Sequence, residues 1–301
     1  MKARVFWGLM VLLLLLPQAV KAQKVTAVVS RNIVLYMDPL DGFKESFKGA
    51  VDSYIFVNDP MEDRTSQGRA LRSQGDLYFI VGSYAATQMK DVIGVKPVLY
   101  CLISRPENFN LTGAKVAGVS LRMPPVAEML SLVKKVAPEE QKVGLLYRAS
   151  AISNPIVAEA RREGAKLGIT VVATGAEDEA DIPNALVQLG NESRFIILSM
   201  DQMFFNESTF SYIARTSLEA KVAVVVSGDK YVKKGAFCSV VPDFRDIGRL
   251  AGEMANRIIA SGGRDFQLVP PRKYNILINS RVARMLGIEI PPDIEGVRLL
   301  R

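Results

Sequence analysis

The 301-residue chain contains no histidine. It therefore lacks the side chain whose charge changes near neutral pH, which is also the commonest general base and the commonest metal ligand. Cysteine is almost as scarce. Cys101 and Cys238 each stand alone in an apolar, strand-like run, so no metal-ligand spacing arises. A disulfide between them fits an oxidising compartment, and two buried free thiols fit the same runs equally well; both readings stay open. No G-x-S-x-G elbow or Walker loop occurs. An enzyme is not expected, and no catalytic residue, cofactor or metal is assigned. Beyond residue 22, no apolar run approaches the length of a membrane span.

The one long apolar run lies at the start. Lys2 and Arg4 precede the stretch 5–16, and Val20-Lys21-Ala22 offers a small-residue cleavage site. This is the pattern of a secretory leader, 1–22, removed before Gln23. An uncleaved N-terminal anchor is the alternative, and the absence of a cysteine after the run argues against a lipoprotein. The expectation is an exported protein of the bacterial periplasm. Without Lys2, Arg4 and Lys21 the formal charge falls from +7 to +4. The remaining basic residues are interleaved with acids and form no aromatic-basic stripe, so a nucleic-acid partner is not expected.

Roughly 280 residues follow the leader, more than one ordinary core. Strand-like runs at 25–30, 54–57, 77–81, 97–103, 116–120, 142–147, 169–173, 195–199, 222–227, 237–241 and 274–278 alternate with helical patterns. The latter cover 39–51, 60–73, 85–92, 155–167, 182–189, 207–218 and 244–261. In the segment after the fifth strand, Val126, Met129, Leu130, Val133 and Val136 repeat at three and four residues, the spacing of an amphipathic helix. Asp243 is a natural N-cap for the helix at 244–261, and Gly262-Gly263 ends it. Alternation of this kind predicts an α/β protein with parallel sheets covered by helices on both faces. Two doubly wound lobes of about five strands each fit the length. In open sheets of this type, ligands bind beyond the carboxyl ends of the strands.

Several motifs carry a family resemblance. Asn110-Leu111-Thr112-Gly113 is followed by Gly118-Val119-Ser120, then by the helix and Leu146-Tyr147-Arg148-Ala149. Ser199-Met200-Asp201-Gln202, Ser227-Gly228-Asp229 with Lys234-Gly235-Ala236, and Asp246-Ile247-Gly248-Arg249 come next in order. Ile278-Asn279 and Leu286-Gly287-Ile288-Glu289-Ile290-Pro291 close the set. In this order the chain resembles the ABC-transporter substrate-binding proteins of type I periplasmic-binding-protein fold, whose better-known members bind aromatic amino acids. The resemblance implies two Rossmann-like lobes joined by three hinge strands: 23–117 plus 242–273, and 118–241 plus 274–301. It also implies a small ligand held between the lobes by hinge closure. The sequence departs from the family pattern at Leu121, where Asp is common, at Lys230-Tyr231, where an acidic pair is usual, and at Ser83-Tyr84 and Arg148-Ala149. Aromatic amino-acid specificity is therefore not carried over.

Candidate ligand-binding residues follow from strand ends. Ser30 closes the first strand, with Arg31, Asn32 and Tyr36 behind it. Gly82-Ser83-Tyr84 opens a helix, where free N–H groups attract anions or simply cap, and Tyr84 offers a stacking face. Ser104 follows the fourth strand. Tyr147, Ser150 and Asn154 form the corresponding loop of the second lobe, in which Ser153 or Asn154 also suits an N-cap. Asp201 and Asp229 stand where a carboxylate would meet a ligand ammonium, or cap a helix; Asp201 is preferred because Lys230 lies beside Asp229. The reading is a periplasmic binding protein delivering a small, amino-acid-like solute to an ABC permease, acting as a monomer with a dimer possible. A ligand sensor or envelope scaffold of the same fold is the alternative.

Overall fold

The computed structural model describes residues 23–121, 125–149, 154–294 and 296–301, with the backbone only at Asn154. The leader 1–22, Ser150 and Ser153 lie outside the described residues.

The first sheet has the strand order β11-β5-β4-β3-β1-β2, formed by β1 (Lys24–Val29), β2 (Ala50–Ile55), β3 (Leu77–Val81), β4 (Val98–Cys101), β5 (Val116–Val119) and the short β11 (Leu268–Val269). The second has the order β13-β12-β10-β9-β8-β6-β7, formed by β6 (Lys142–Arg148), β7 (Thr170–Ala176), β8 (Phe195–Leu198), β9 (Ala223–Val226), β10 (Cys238–Pro242), β12 (Tyr274–Asn279) and β13 (Val297–Leu300). All pairings are parallel except β10 with β12. Six and seven strands replace the five expected per lobe: β12 takes up the run expected at 274–278, while β11 and β13 are short edge strands without a strong apolar pattern. The central strands β3, β4, β5, β8 and β9 are buried throughout, as covering on both faces requires.

Helices are α1 (Val34–Ser46), α2 (Pro60–Arg72), α3 (Ser83–Gln88), α4 (Val126–Val136), α5 (Asn154–Lys166), α6 (Ile182–Glu192), α7 (Gln202–Phe205), α8 (Glu207–Glu219), α9 (Asp229–Val232), α10 (Phe244–Ala260) and α11 (Ser280–Leu286). The largest correction to the sequence reading is α1. It begins five residues before Pro39 and stops at Ser46, while the expected tail at 50–51 is the start of β2. Its apolar face, Leu40 and Phe43 with Phe47 just beyond, is buried against the first sheet, and Phe43 stacks on Phe79 at 4.3 Å. Asp243 caps α10 as its position suggests, accepting from the Asp246 N–H at 3.0 Å.

Cys101 belongs to the first core and Cys238 to the second. Both thiols are free and fully buried, and burial pushes their pKa values up. The open question of a disulfide is thus answered: the two cysteines sit in different layers and cannot meet.

The closest packing joins helices from opposite ends of the chain. A Cβ built on Gly248 of α10 would overlap the carbonyl oxygen of Pro39, and one on Gly42 would overlap that of Arg245. The two backbones therefore touch, which only glycine permits. Ser46 Oγ donates to the Arg249 carbonyl at 2.7 Å, Asn256 Nδ2 to the Ser46 carbonyl at 2.9 Å, and Arg245 and Arg249 both pair with Glu45. Gly248→Ala is expected to destabilise the fold by about 3 kcal/mol, because the obstacle is backbone and cannot rotate away. Urea unfolding measures this; an unchanged midpoint would contradict it.

The chain crosses between sheets three times: after β5, after β10 and between β11 and β12. Each crossing leaves a strand's carboxyl end and enters the other layer at its carboxyl end. The two carboxyl ends must therefore face each other. At the third crossing Arg272 spans back to α10, donating to buried Asp246 at 3.0 Å and to Glu253 at 2.8 and 2.9 Å. The guanidinium holds the Glu253 carboxyl below the usual glutamate range. A depressed folded-state pKa gives stability that is present above the unfolded value and lost as pH falls through the folded one. Arg272→Met should cost about 2 kcal/mol at neutral pH, since it leaves Asp246 without its guanidinium. That penalty should shrink as pH is lowered from about 7 to about 3; a constant penalty across the range would contradict the assignment.

Candidate functional site

On the first layer, three neighbouring strands, β4, β3 and β1, end in loops tied to one another. The Ser30 N–H donates to the Val81 carbonyl and the Gly82 N–H to the Cys101 carbonyl, each at 3.0 Å. Ser30 is buried, and its hydroxyl donates to Val81 O and accepts from the Ala85 N–H, both at 2.9 Å. Its role is to fix the start of α3. Gly82 sits at φ +86°, and a Cβ there would press on Ser30 Oγ and the Tyr36 ring. Ser30, Tyr36, Ser83 and Tyr84 are thus assembled around one glycine.

Ser83 is half-buried as the first residue of α3. Tyr84 stands edge-on to Phe56 at 5.6 Å and donates its hydroxyl to Asp63 Oδ2 at 2.7 Å. That bond to a carboxylate raises the phenol pKa. Asp63 itself is buried, with its other oxygen accepting from the Val57 N–H at 2.8 Å. Beyond β4, Leu102 adopts φ +55°, a costly conformation for a bulky residue, and turns the chain so that Ser104 and Arg105 are exposed.

On the second layer, Tyr147 pairs with Gly175 of β7, and its ring lies over that residue. Arg148, the last residue of β6, reaches the neighbouring β8 loop, where its guanidinium lies 3.8 Å from Asp201 Oδ1. Asp201 also caps α7, accepting from the Met203 N–H at 2.9 Å. Asp229, after β9, accepts from Ser239 Oγ at 2.6 Å and from Arg298 at 2.8 Å. The cation beside Asp229 is therefore Arg298 from the last strand, while Lys230 lies over the Tyr231 ring at 4.7 Å. Tyr231 joins Phe205 and Phe210 in an aromatic cluster. Ser150 lies outside the described residues; Asn154 opens α5, and its side chain is likewise outside them.

Sequence reasoning missed three participants. Arg298 and Asp63 reach the site from 69 and 21 residues away from their partners, and no local motif signals either. The third is an apolar rim: Ile33, Val34, Val57 and Met61 on the first layer and Met200 on the second are exposed at the same facing ends. Exposed Val and Met at strand ends were a readable signal. Leu121, where the family commonly has Asp, packs into the first core. A separate depression of about 410 Å³ lies at the opposite, amino end of β1 and β2, where Lys24 pairs with Asp52 at 2.7 Å.

With this geometry in place, comparison with known proteins is informative. Residues 74–296 match the family model of ABC transporter substrate binding proteins, and the chain belongs to that family. It is 20% identical over 256 residues to a tyrosine-binding protein of Clostridioides difficile, covering 82% of this chain and 73% of that one. A ligand-free, open substrate-binding protein with adhesive properties from Clostridium difficile superposes with a TM-score of 0.70 at 20% identity, over 93% of this chain and 99% of that one. The ABC domain from Streptococcus pneumonia in complex with L-Trp gives 0.56 at 22% identity, over 93% of this chain and 100% of that one. The fold is thus the two-lobed type I periplasmic-binding-protein architecture. Among the described residues, no helix is long and apolar enough to cross a membrane.

Tyr84→Phe removes the donor held by buried Asp63 and should cost about 1–2 kcal/mol of stability. Thermal unfolding at neutral pH measures it. A variant as stable as the parent would show that the Tyr84–Asp63 bond does not hold the loop.

Proposed function

We propose that the protein captures a small, amino-acid-like organic solute between its lobes and delivers it to an ABC importer in the inner membrane. The observation that carries this reading is that all three crossings join carboxyl end to carboxyl end, so the loops after β1, β3 and β4 oppose those after β6, β8 and β9. In this reading the lobes meet at the crossings after β5, after β10 and before β12, within a few residues of the 117/118, 241/242 and 273/274 boundaries that the resemblance implies. Tyr36, Ser83, Tyr84 and Ser104 provide one wall, with Ser30 holding its geometry. Tyr147, Ser150, Asn154, Asp201 and Asp229 provide the other. The tyrosine-binding relative and the L-Trp complex support a ligand of this size and class. The better superposition on a ligand-free, open structure supports reading the present arrangement as the open form. The leader 1–22 directs the protein to the periplasm, where it acts as a monomer without catalysis.

Closure on ligand is the test. A thermal-shift screen of amino acids and related metabolites identifies binders, since ligand at a hundredfold excess over Kd adds about 2.7 kcal/mol of stability. Small-angle scattering with a hit should then show a smaller radius of gyration than without it. Tight binding without compaction would remove the hinge mechanism. Capture of a sensor kinase or envelope complex in place of a permease would favour the sensor or scaffold reading.

A further inference from the structure

The end of the first layer remote from the cleft carries a charge pattern that ligand capture does not use. Parallel pairing brings the starts of β2, β1, β3, β4, β5 and β11 together there. The Ala50 N–H donates to the Gln23 carbonyl, Asp76 to Lys24, Tyr78 to Pro97, Val98 to Lys115 and Gly118 to Gln267, at 2.8 to 3.0 Å. Exposed cations at these starts include Lys48, Arg69, Arg72, Lys96, Lys115 and Arg264. None of these makes an ion pair among the described residues. The acids of the same end are engaged. Asp52 pairs with Lys24 at 2.7 Å, Asp265 with Arg257 at 3.3 Å, and Asp76 accepts from the Lys24 N–H at 3.1 Å. In the turn before β4, Asp91 stands beside Lys90.

The corresponding end of the second layer is built differently. There Lys142 pairs with Glu192 at 3.4 Å, Arg194 with Glu139 at 4.0 Å and Lys166 with Glu163 at 2.7 Å. Helix ends explain only part of the first-layer excess. Arg69 and Arg72 lie in the last turn of α2, where a cation suits the helix dipole, but Lys48, Lys96, Lys115 and Arg264 lie outside helices. The two arginines border the depression of about 410 Å³ together with Tyr54, Ser73 and Gln74. Guanidiniums beside hydroxyl and amide donors suit a phosphodiester oxygen. Apolar side chains stand among the cations: Val95 precedes Lys96, Leu71 precedes Arg72 and Leu268 opens β11, exposed at 66%, 37% and 51%. An acidic protein would be met by the charge alone. Basic and apolar groups interspersed over one face meet both parts of a lipid surface, the charged headgroups and the acyl boundary beneath them.

From the unpaired cations and the apolar residues among them we infer that this end of the first layer is a docking surface for an anionic phospholipid membrane. The carboxyl ends of the same strands point away from it, so lipid and a ligand in the cleft do not compete. The inference is independent of what the cleft binds.

Co-sedimentation of the exported protein tests this, with vesicles of phosphatidylcholine alone and of phosphatidylcholine with an equal part of phosphatidylglycerol. Binding is expected on the anionic vesicles only, and it should weaken as sodium chloride is raised. Lys96→Gln with Lys115→Gln should lower the partition coefficient about 25-fold, about fivefold for each cation removed. Both side chains are exposed, so the doubly substituted protein should keep its fold. Lys142→Gln with Lys221→Gln makes the same charge change at the amino end of the second layer and should alter binding less than about twofold. Equal loss in the two double variants would show that net charge, and not this face, attracts lipid, and would overturn the inference. Equal binding to neutral and anionic vesicles overturns it as well, as does binding to neither. Inorganic phosphate should displace the protein no better than chloride at the same ionic strength; stronger displacement assigns the face to free phosphate. Binding to poly-L-glutamate without binding to vesicles assigns it to an acidic protein, and either result removes the membrane.

Discussion

Everything in the architecture depends on the backbone contact between α1 and α10. Residues 244–260 come from the last quarter of the chain, after the second sheet is nearly complete, yet they pack on a helix formed by residues 34–46. Gly42 and Gly248 let the two main chains touch, and Ser46, Asn256 and the Glu45 carboxylate with its two arginines lock the register. Once α10 is anchored there, the chain has to leave the second layer after β10 and return to it before β12. Two of the three crossings exist because of this one docking.

Those crossings then place the functional surface. A parallel strand can leave its sheet for a neighbouring layer only from its carboxyl end, and a helix that covers a parallel sheet starts at that same end. Joining carboxyl end to carboxyl end three times turns the two sheets toward each other. The loops that no helix covers are left opposed, and they carry the polar and apolar residues argued above to meet a ligand. Arg272 ties one crossing to buried Asp246, so that crossing is anchored on the first layer.

The charge pattern of the facing loops is set by pairings that only folding creates. Arginine stands beside both aspartates of the second layer, Arg148 at 3.8 Å from Asp201 and Arg298 donating to Asp229 at 2.8 Å. Electrostatics of this kind decide specificity more than affinity. The fold and the framework are shared with a tyrosine-binding relative and with an L-Trp-bound structure, whereas these pairings belong to this chain's own side chains.

Much of the fold was legible in the chain because its signals are local. The spacing of Val126, Met129, Leu130, Val133 and Val136 is a helix by geometry alone, and Asp243 followed by Gly262-Gly263 marks α10 at both ends. The alternation of buried apolar strands with such helices determined the fold class, and the strand ends pointed to Ser30, Ser83, Tyr84 and Asp201. The short strands β11 and β13 had no such signal, since their hydrogen bonds and not their side chains define them. Only the tertiary structure decided that Ser30 supports a loop, that Cys101 and Cys238 lie in separate cores, and that Asp229 is paired with Arg298. The physical reason is range. Helix and strand periodicity is written within a few residues, whereas the charge a carboxylate presents to a ligand depends on whichever side chain folding brings within about 4 Å of it.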